Sequence, residues 1–277
     1  MHTDVVPDEV VVITGAGGMG LAIARRLGTG RHVVLADVIE RALGDATRML
    51  KGEGHQVHPV VTDVSDPGAV ASLAAVAAGL GRIRTIVHTA GVSPVQASPD
   101  RIVLVDVIGT ALLLDAFLPY AQAGTVAICI ASMAGTMASL PAEDERGLAT
   151  TPTAELASLS ILDPATMNPG SAYGIAKRAN QLRVRAAAIA WGRRGARVVS
   201  ISPGIISTPM GQQELAGPAG DAIRGMIAMS ASQRVGTPDD VASAVEFLVS
   251  PAASFITGTD LLIDGGVVAA IQFPAPT

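Results

Sequence analysis

The chain is predicted to fold as an α/β protein, a doubly wound parallel sheet of about seven strands in a three-layer α/β/α arrangement. Three observations predict it. A β-branched run, Glu9 to Ile13, passes straight into a glycine-rich turn, Thr14 to Gly20, and a helical pattern follows. Short β-branched runs then alternate with helical patterns along the chain, the order that gives a parallel sheet covered on both faces. The 277 residues are 49% hydrophobic but only 3% aromatic, so a large core is available and Ala, Val, Leu and Ile must build it.

The first strand ends in Thr14-Gly15-Ala16-Gly17-Gly18-Met19-Gly20, and Leu21 to Leu27 reads as a helix closed by Gly28 and Gly30. Gly15, Gly17 and Gly20 satisfy G-x-G-x-x-G in its required strand–turn–helix context. Glycine permits the tight turn and lets backbone N–H groups approach a pyrophosphate at the helix N-terminus. The second strand, His32 to Ala36, ends at Asp37, 17 residues after Gly20. A dinucleotide fold places an acid near there, on the adenosine ribose. A carboxylate accepts hydrogen bonds from both ribose hydroxyls and repels a 2′-phosphate. No Lys or Arg in the glycine turn or directly after Asp37 would hold that phosphate, which favours NAD over NADP. The competing reading of Asp37 is a helix cap or turn residue.

The alternation continues. A helix is expected over Glu40 to Lys51, a strand over Gln56 to Val61, then Thr62-Asp63-Val64. Asp66-Pro67 is a helix start signal. The strand Arg84 to His88 leads into Thr89-Ala90-Gly91. Spacing leaves Asp63 equally open as an adenine contact or a solvated loop residue. Asp100 to Tyr120 reads as one long helix and Gly124 to Ala131 as a strand ending at Ser132. Residues 139–170 are irregular, with short helical patterns at Thr153 to Leu159 and Asp163 to Met167; a segment of this length inside a compact domain is often functional, such as a lid. The longest helix, beginning at Tyr173, precedes a strand over Ala196 to Ile201 and Ser202-Pro203-Gly204. Residues 209–233 read as a mobile substrate flap. Thr237-Pro238-Asp239-Asp240 starts a helix running to Val249, and Asp260 to Ile263 is the last strand. The pattern gives no structure for the tail from Gln272. A single domain, 1–277, is expected.

Composition narrows the function. A net charge of −5 gives no footprint for nucleic acid or an anionic membrane. The lone Cys129 lies in the apolar run Val126 to Ile130 and reads as a small buried hydrophobe. No Cys/His cluster has metal-ligand spacing. Met1-His2-Thr3-Asp4 has neither the basic start nor the apolar stretch of a signal peptide. The apolar stretch from Ile102 to Leu118 is interrupted by Asp106 and Asp115 and reads as too short to span a bilayer. A cytoplasmic protein is the expectation.

Within Ser171-Ala172-Tyr173-Gly174-Ile175-Ala176-Lys177, Tyr173 and Lys177 stand four residues apart and share a helix face. A phenol titrates near pH ~10. An adjacent ammonium favours the phenolate, which would make the pair an acid/base at neutral pH. Alone, the spacing also fits an ordinary helix face.

Taken together, Thr14 to Gly20, Asp63-Val64, His88-Thr89-Ala90-Gly91, Ser132, Tyr173-x-x-x-Lys177 and Pro203-Gly204-x-x-x-Thr208 resemble the short-chain dehydrogenase/reductase family over nearly the whole chain. The resemblance implies a Rossmann-type domain and hydride transfer between a nicotinamide and an alcohol or carbonyl carbon. It implies Tyr173 as acid/base, Lys177 as the group that lowers its pKa and binds the nicotinamide ribose, and Ser132 as the hydrogen-bond partner of the substrate oxygen. It implies cofactor contacts from Gly15, Gly17, Gly18, Met19, Gly20, Asp63, Val64, Ala90, Gly91, Pro203, Gly204, Ile206 and Thr208. Relatives are usually homodimers or homotetramers.

Three features depart from the family pattern. The glycine turn is one residue shorter than its commonest form. Asp106 stands where an Asn usually holds a water in the relay to Lys; it is expected either to pair with Lys177, to hold the same water, or to be a kinked-helix Asp satisfied by backbone. Ser132 and Tyr173 are 41 positions apart, an insertion similar to that of bacterial 3α-hydroxysteroid dehydrogenase/carbonyl reductases, as are Asp115 to Pro119 and Ala190-Trp191-Gly192. Residues 139–168 are expected to wall the substrate pocket or to cover a surface that other members use for tetramerisation. Leu140, Leu156, Leu159, Met210, Met226 and Met229 suggest an apolar, alicyclic or steroid-like substrate. A 3-oxoacyl-thioester reductase and a non-catalytic NAD-binding regulator are the alternatives.

Overall fold

The computed structural model describes residues 8–274. Met1 to Asp4 and the extreme tail, 275–277, on which two of the expectations above fall, lie outside the described residues. The elements in chain order are β1 (Glu9–Thr14), α1 (Gly18–Leu27), β2 (His32–Asp37), α2 (Glu40–Gly52), β3 (Gln56–Val61), α3 (Pro67–Leu80), β4 (Arg82–His88), α4 (Pro99–Ile102), α5 (Gly109–Phe117), β5 (Val126–Ile130), α6 (Met133–Met137), α7 (Ala142–Thr150), α8 (Thr153–Leu156), α9 (Pro169–Gly192), β6 (Arg197–Pro203), α10 (Pro209–Ala216), α11 (Gly220–Met229), α12 (Pro238–Val249), β7 (Asp260–Ile263) and α13 (Val267–Gln272). The seven strands form one parallel sheet in the order β3-β2-β1-β4-β5-β6-β7. In register, Ile13 faces Leu35 on one side and Val87 on the other. Chain direction across the sheet reverses between β1 and β4, and the crevice at their carboxyl ends is where such sheets take ligands.

Alternate residues of the buried strands feed two cores, as the period of two requires. Ile13, Leu35 and Ile128 pack with Ile23, Leu43 and Leu248 of α1, α2 and α12. Val12, Val34 and Ala127 pack with Leu73, Leu113, Phe117 and Trp191 of α3, α5 and α9. The helices begin on strong caps. Asp66 accepts the N–H groups of Gly68 and Ala69, and Asn168 and Thr237 form reciprocal capping boxes with Ser171 and Asp240.

The expected single helix over 100–120 is corrected. Between α4 and α5 the chain widens into a π-helix, Val103–Ile108, and a 3₁₀ turn, Leu118–Tyr120, follows. The hydroxyl of Thr110 donates to the Asp106 carbonyl at 2.8 Å, offering that acceptor a side chain in place of the regular ladder. The run Pro99–Tyr120 is also longer than expected, 22 residues, and by length and composition could cross a membrane. Here 61% of its apolar window is buried within the protein. Ile102, Val103, Val107 and Ala111 of this run build the third core described next.

The segment 139–168 holds a helix that apolar periodicity does not reveal. The first turn of α7 carries Glu143, Asp144 and Glu145, favourable at a helix N-terminus, and its one fully buried side chain is Leu148. Leu148, Leu156 and Leu162 pack with Ile102, Val107, Ile175 and Ala179 in a third core, which Tyr173 borders. Arg178 of α9 holds Glu145 from below, donating from Nε at 2.6 Å. α13 was likewise hidden. Its start is fixed by the Asp264 carboxylate, which accepts the N–H groups of Gly266 (2.9 Å) and Val268 (2.7 Å).

Leu148→Ala tests whether the insertion is integral to the fold. A cavity at this site should cost about 2–5 kcal/mol in chemical denaturation. A loss below about 0.5 kcal/mol, the range of exposed positions, would show a loosely attached segment.

Candidate active site

The crevice is lined first by the glycine turn. Gly15 adopts φ +89°, and a Cβ there would stand 2.6 Å from Thr89 Oγ1. Its N–H donates to the Ala36 carbonyl (2.7 Å), while Thr89 Oγ1 donates to the Thr14 carbonyl (2.7 Å). A Cβ on Gly20 would run into the Gly15 carbonyl. Gly17 differs, because a Cβ there would meet nothing within 4 Å. Packing therefore does not require glycine at Gly17, whose outer side is open. Gly17 caps α1 without a side-chain hydrogen bond, so first-turn N–H groups around Gly18 and Met19 remain for an anion. These features fit a dinucleotide pyrophosphate.

Asp37 sits at the end of β2, with Oδ2 accepting the Ala16 N–H and Oδ1 the Ile39 N–H, both at 2.8 Å. It thus ties the glycine turn to β2. The next side chains, Val38 and Ile39, are exposed and uncharged. Asp63 Oδ1 accepts the Ser65 hydroxyl (2.6 Å) and N–H (2.9 Å), and Oδ2 meets Arg101 at 3.0 Å. Partial burial works against ionisation of Asp63, but Ser65 and Arg101 outweigh it and its carboxyl lies below the usual range. Val64 is buried against Gly109, where a Cβ would stand 2.9 Å from Val64 Cγ2.

Across the sheet, β5 delivers Ser132, which caps α6, its Oγ accepting the Ala134 N–H at 3.2 Å. A Cβ on Gly135 would lie 2.5 Å from the Lys177 backbone carbon, so α6 rests directly on α9. That contact sets the end of β5, with Ser132, against the helix that carries Tyr173. Lys177 Nζ lies 5.4 Å from the Tyr173 ring centroid. The ammonium is 5% exposed and pairs with the fully buried Asp106, Nζ to Oδ2 at 3.1 Å. Asp106 Oδ1 accepts the Val92 N–H at 2.9 Å. Of the readings open for Asp106, the structure shows the ion pair with Lys177. Gly91 lies over the pair, since a Cβ there would come within 3.1 Å of Nζ and 3.2 Å of Oδ1.

Burial raises the Tyr173 phenol above its ordinary value of 10; Lys177 opposes this, Asp106 reinforces it, and Ser132 opposes it. Burial disfavours the charge on Lys177, but Asp106 outweighs it and holds the amine protonated. Burial also pushes Asp106 up, against the pull of Lys177 and the Val92 N–H. Asp106 therefore neutralises part of the positive charge that would otherwise draw Tyr173 toward the phenolate.

A polar network supports this pair from below. The Thr110 hydroxyl, donating to the Asp106 carbonyl, is left to accept from His88 Nε2 (3.1 Å). His88 Nδ1 then accepts from the Thr14 hydroxyl at 2.7 Å. Burial depresses His88 to about 3, so the ring is neutral, as this pattern requires. The Asn180 amide nitrogen, oriented toward its acceptors, faces the Asp106 carbonyl at 2.7 Å and Thr110 Oγ1 at 3.1 Å. The glycine turn is thereby wired to the π-helix through one buried imidazole. His88 stands in the motif His88-Thr89-Ala90-Gly91 but has no role assigned from sequence, and Thr110 and Asn180 read there as ordinary helix residues.

On the far side, Gly204 follows Pro203 and presses on Asp264, 2.7 Å from where a Cβ would sit. Ile206 forms a parallel bridge with Gly236. Thr208 caps α10, accepting the Gly211 N–H at 3.1 Å, and its methyl would lie 3.3 Å from a Cβ on Gly18. The structure thus brings Gly15 to Gly20, Asp37, Ala90, Gly91, Ser132, Tyr173, Lys177 and Thr208 to one crevice. Of the apolar candidates, Leu156 belongs to the insertion core and Met229 is 60% exposed. Among the described residues no group of three His, Cys, Asp or Glu could hold a metal.

A family model described as short chain dehydrogenase matches residues 9–142, and one described as enoyl-(acyl carrier protein) reductase matches residues 149–268. The chain is 37% identical over 263 residues to the short-chain dehydrogenase/reductase bsc3 of Alternaria brassicicola, covering 94% of this chain and 96% of that one. It is 32% identical to the 3-alpha-hydroxysteroid dehydrogenase/carbonyl reductase of Comamonas testosteroni, covering 83% and 94%. Its fold is similar to the 3-alpha-hydroxysteroid dehydrogenase of Pseudomonas sp. B-0831 complexed with NADH, with a TM-score of 0.77, 26% identity, and 97% and 100% of the two chains covered.

The chain has two tyrosines, so Tyr120→Phe leaves Tyr173 alone to be followed by tyrosinate absorbance. In that background Tyr173 should ionise above pH ~10. Adding Asp106→Asn should bring the ionisation down by about one unit or more. An unchanged titration would show that the Asp106 charge does not reach the phenol.

Proposed function

The chain belongs to the short-chain dehydrogenase/reductase family, and on that premise we propose that it oxidises a secondary alcohol, or reduces the corresponding ketone, with NAD(H). The observation that carries this reading is the assembly of Ser132, Tyr173 and Lys177 beside an open glycine turn. When bound, the nicotinamide supplies the carbon that accepts or donates the hydride. The N–H groups around Gly17, Gly18 and Met19 would hold the pyrophosphate, with Gly15 and Gly20 shaping the turn. Asp37 would take the adenosine ribose, and Asp63 and Val64 the adenine edge. The Ala90 and Gly91 backbone and Lys177 would flank the nicotinamide ribose, and Pro203, Gly204, Ile206 and Thr208 the carboxamide side.

In oxidation, Tyr173 Oη takes the proton of the substrate hydroxyl; in reduction it returns a proton to the carbonyl oxygen. The Ser132 hydroxyl donates a hydrogen bond to that same oxygen and stabilises its developing charge. Lys177 favours the phenolate, and Asp106 sets how strongly it does so. Preference for NAD rests on the Asp37 carboxylate and on Val38 and Ile39, which offer no cation for a 2′-phosphate. An apolar, alicyclic or steroid-like substrate is supported by the resemblance to hydroxysteroid dehydrogenases. A cytoplasmic homodimer or homotetramer, with residues 139–168 walling the substrate pocket or covering a surface that other members use for tetramerisation, completes the proposal. The acyl-thioester alternative has some support in the description of the model matching residues 149–268.

Reduced-nicotinamide absorbance, followed with steroids, cyclic alcohols and acyl thioesters, tests the reading. Tyr173→Phe should lower kcat by about 10²- to 10⁴-fold. Turnover that survives it would remove Tyr173 from the chemistry, and binding of NAD without turnover of any panel member would favour the regulator reading. Asp37→Ala should reduce kcat/KM for NAD by about tenfold or more, from lost charge-assisted hydrogen bonds, and raise it for NADP; equal use of both cofactors by the parent protein would refute the preference.

A further inference from the structure

Two strands at one margin of the sheet carry a pair of side chains that the dehydrogenase chemistry does not use. β2 begins at His32, and the edge strand β3 carries His58. The parallel register pairs His32 with Gln56 and Val34 with His58. Both imidazoles therefore project from the face on which Val34 enters the core. They are 26 positions apart in sequence, so only the strand pairing brings them together. His32 Nδ1 stands 3.0 Å from His58 Nε2, with ring centroids 5.0 Å apart and ring planes inclined by 57°. The rings thus meet nitrogen to nitrogen and do not stack. On the far side of the His32 ring, Nε2 lies 3.6 Å from Asp8 Oδ2. Both histidines are only partly buried, and the His32 side chain keeps 21% of its surface in water, so ions in solution can reach the pair.

These contacts fix where the protons sit. The carboxylate beside His32 Nε2 favours the tautomer with its proton there, so His32 Nδ1 presents a lone pair. His58 Nε2 then carries the proton between the rings. A carboxylate on the far nitrogen of an imidazole is also the outer-shell pattern of metal-ligating histidines. The nitrogen separation points the same way. Two nitrogens 3.0 Å apart, each about 2.0–2.1 Å from one ion, subtend roughly 95° at it. That angle belongs to tetragonal coordination, which Cu²⁺ and Ni²⁺ adopt with nitrogen and oxygen ligands. Burial, with His32 and Lys51 behind it, holds His58 below the ordinary imidazole value, which leaves it unprotonated and able to ligate near pH 7. Lys51 acts against an incoming cation as well, and Asp8 offsets it.

We propose that His32 and His58 form a two-imidazole site for a divalent transition-metal ion, copper or nickel. The ion takes the place of the proton between the rings. His58 carries that proton on Nδ1 instead, His32 keeps its own on Nε2 toward Asp8, and both rings stay neutral. Water fills the remaining coordination positions, because among the described residues no third His, Cys, Asp or Glu joins the pair. The bound ion ties the edge strand β3 to β2 by a link additional to the hydrogen-bonded ladder. The site lies toward the amino end of β2, whereas Asp37 and the crevice lie at the carboxyl end. It does not depend on the alcohol/ketone reading.

The test titrates NiCl₂ and CuCl₂ into the untagged full chain by calorimetry, in a buffer that does not chelate. His2 is replaced by Gln in every protein compared, so that the terminus adds no imidazole. One ion should bind per chain, and electron paramagnetic resonance of the Cu²⁺ adduct should show two nitrogen ligands. His32→Gln and His58→Gln should each weaken binding by about 100-fold or more, since losing even an outer-shell partner costs about 10- to 100-fold. His55→Gln should leave it unchanged. Affinity in the parent should also fall as the pH drops below ~6.5, where protons compete for the imidazoles. That pH dependence needs no substitution, and urea midpoints measured without metal confirm that each variant is folded. No binding to the parent, binding that survives His32→Gln or His58→Gln undiminished, or a Cu²⁺ spectrum without two nitrogens would overturn the proposal.

Discussion

The site depends on one buried ion pair. An ammonium at the position of Lys177, shielded from water, is tolerable only with a partner whose remaining lone pairs are also satisfied. Asp106 is the opposite charge beside it, with Oδ2 3.1 Å from Nζ, while its Oδ1 accepts the Val92 N–H. Much of the surrounding architecture follows from keeping this arrangement. Gly91 has no side chain because one would strike both charges. The π-helix, with Thr110, Asn180 and His88 beneath it, fixes the backbone that carries Asp106. The close seat of α6 on α9 at Gly135 then places Ser132 beside the same helix.

The two ends of the crevice are built differently. The glycine-turn end lies on the central strands, where β1 is hydrogen-bonded to both β2 and β4 and Gly15 and Gly20 are closely packed. The other end is bordered by α10 and by the loop after β4, joined to each other through a pair of glutamine side chains. The insertion contributes in a third way. Its leucines extend the core on the outer side of α9, so the helix that carries Tyr173 and Lys177 is held between the sheet and 139–168.

The sheet was legible in the sequence because β-branched runs such as Val10 to Ile13 and His32 to Ala36 alternate with amphipathic stretches at regular intervals. Tyr173, Lys177, Ser132 and the glycine turn were legible because short-range spacing defines them. What was hidden has physical causes. α7 has a single fully buried side chain and a polar remainder, so its helical period is faint. The π-turn arises from side-chain and tertiary hydrogen bonds around Asp106, which no local propensity encodes. Met19, Ile206 and Thr208 were placed by resemblance, and only the fold gives them a physical setting.

The widened turn also governs what the run Pro99–Tyr120 can tolerate over evolutionary time. A π-turn is a helix carrying one residue more than its geometry needs. Losing a residue between Val103 and Ile108 would tighten the turn and swing everything after it through roughly 100°. Leu113, Leu114 and Phe117, now packed toward the sheet, would be turned off it, and the carboxylate would leave the ammonium. Exchanging one aliphatic side chain for another of similar volume would do neither. This stretch is therefore permissive in composition and strict in length, and a one-residue deletion here is a harsher lesion than several substitutions.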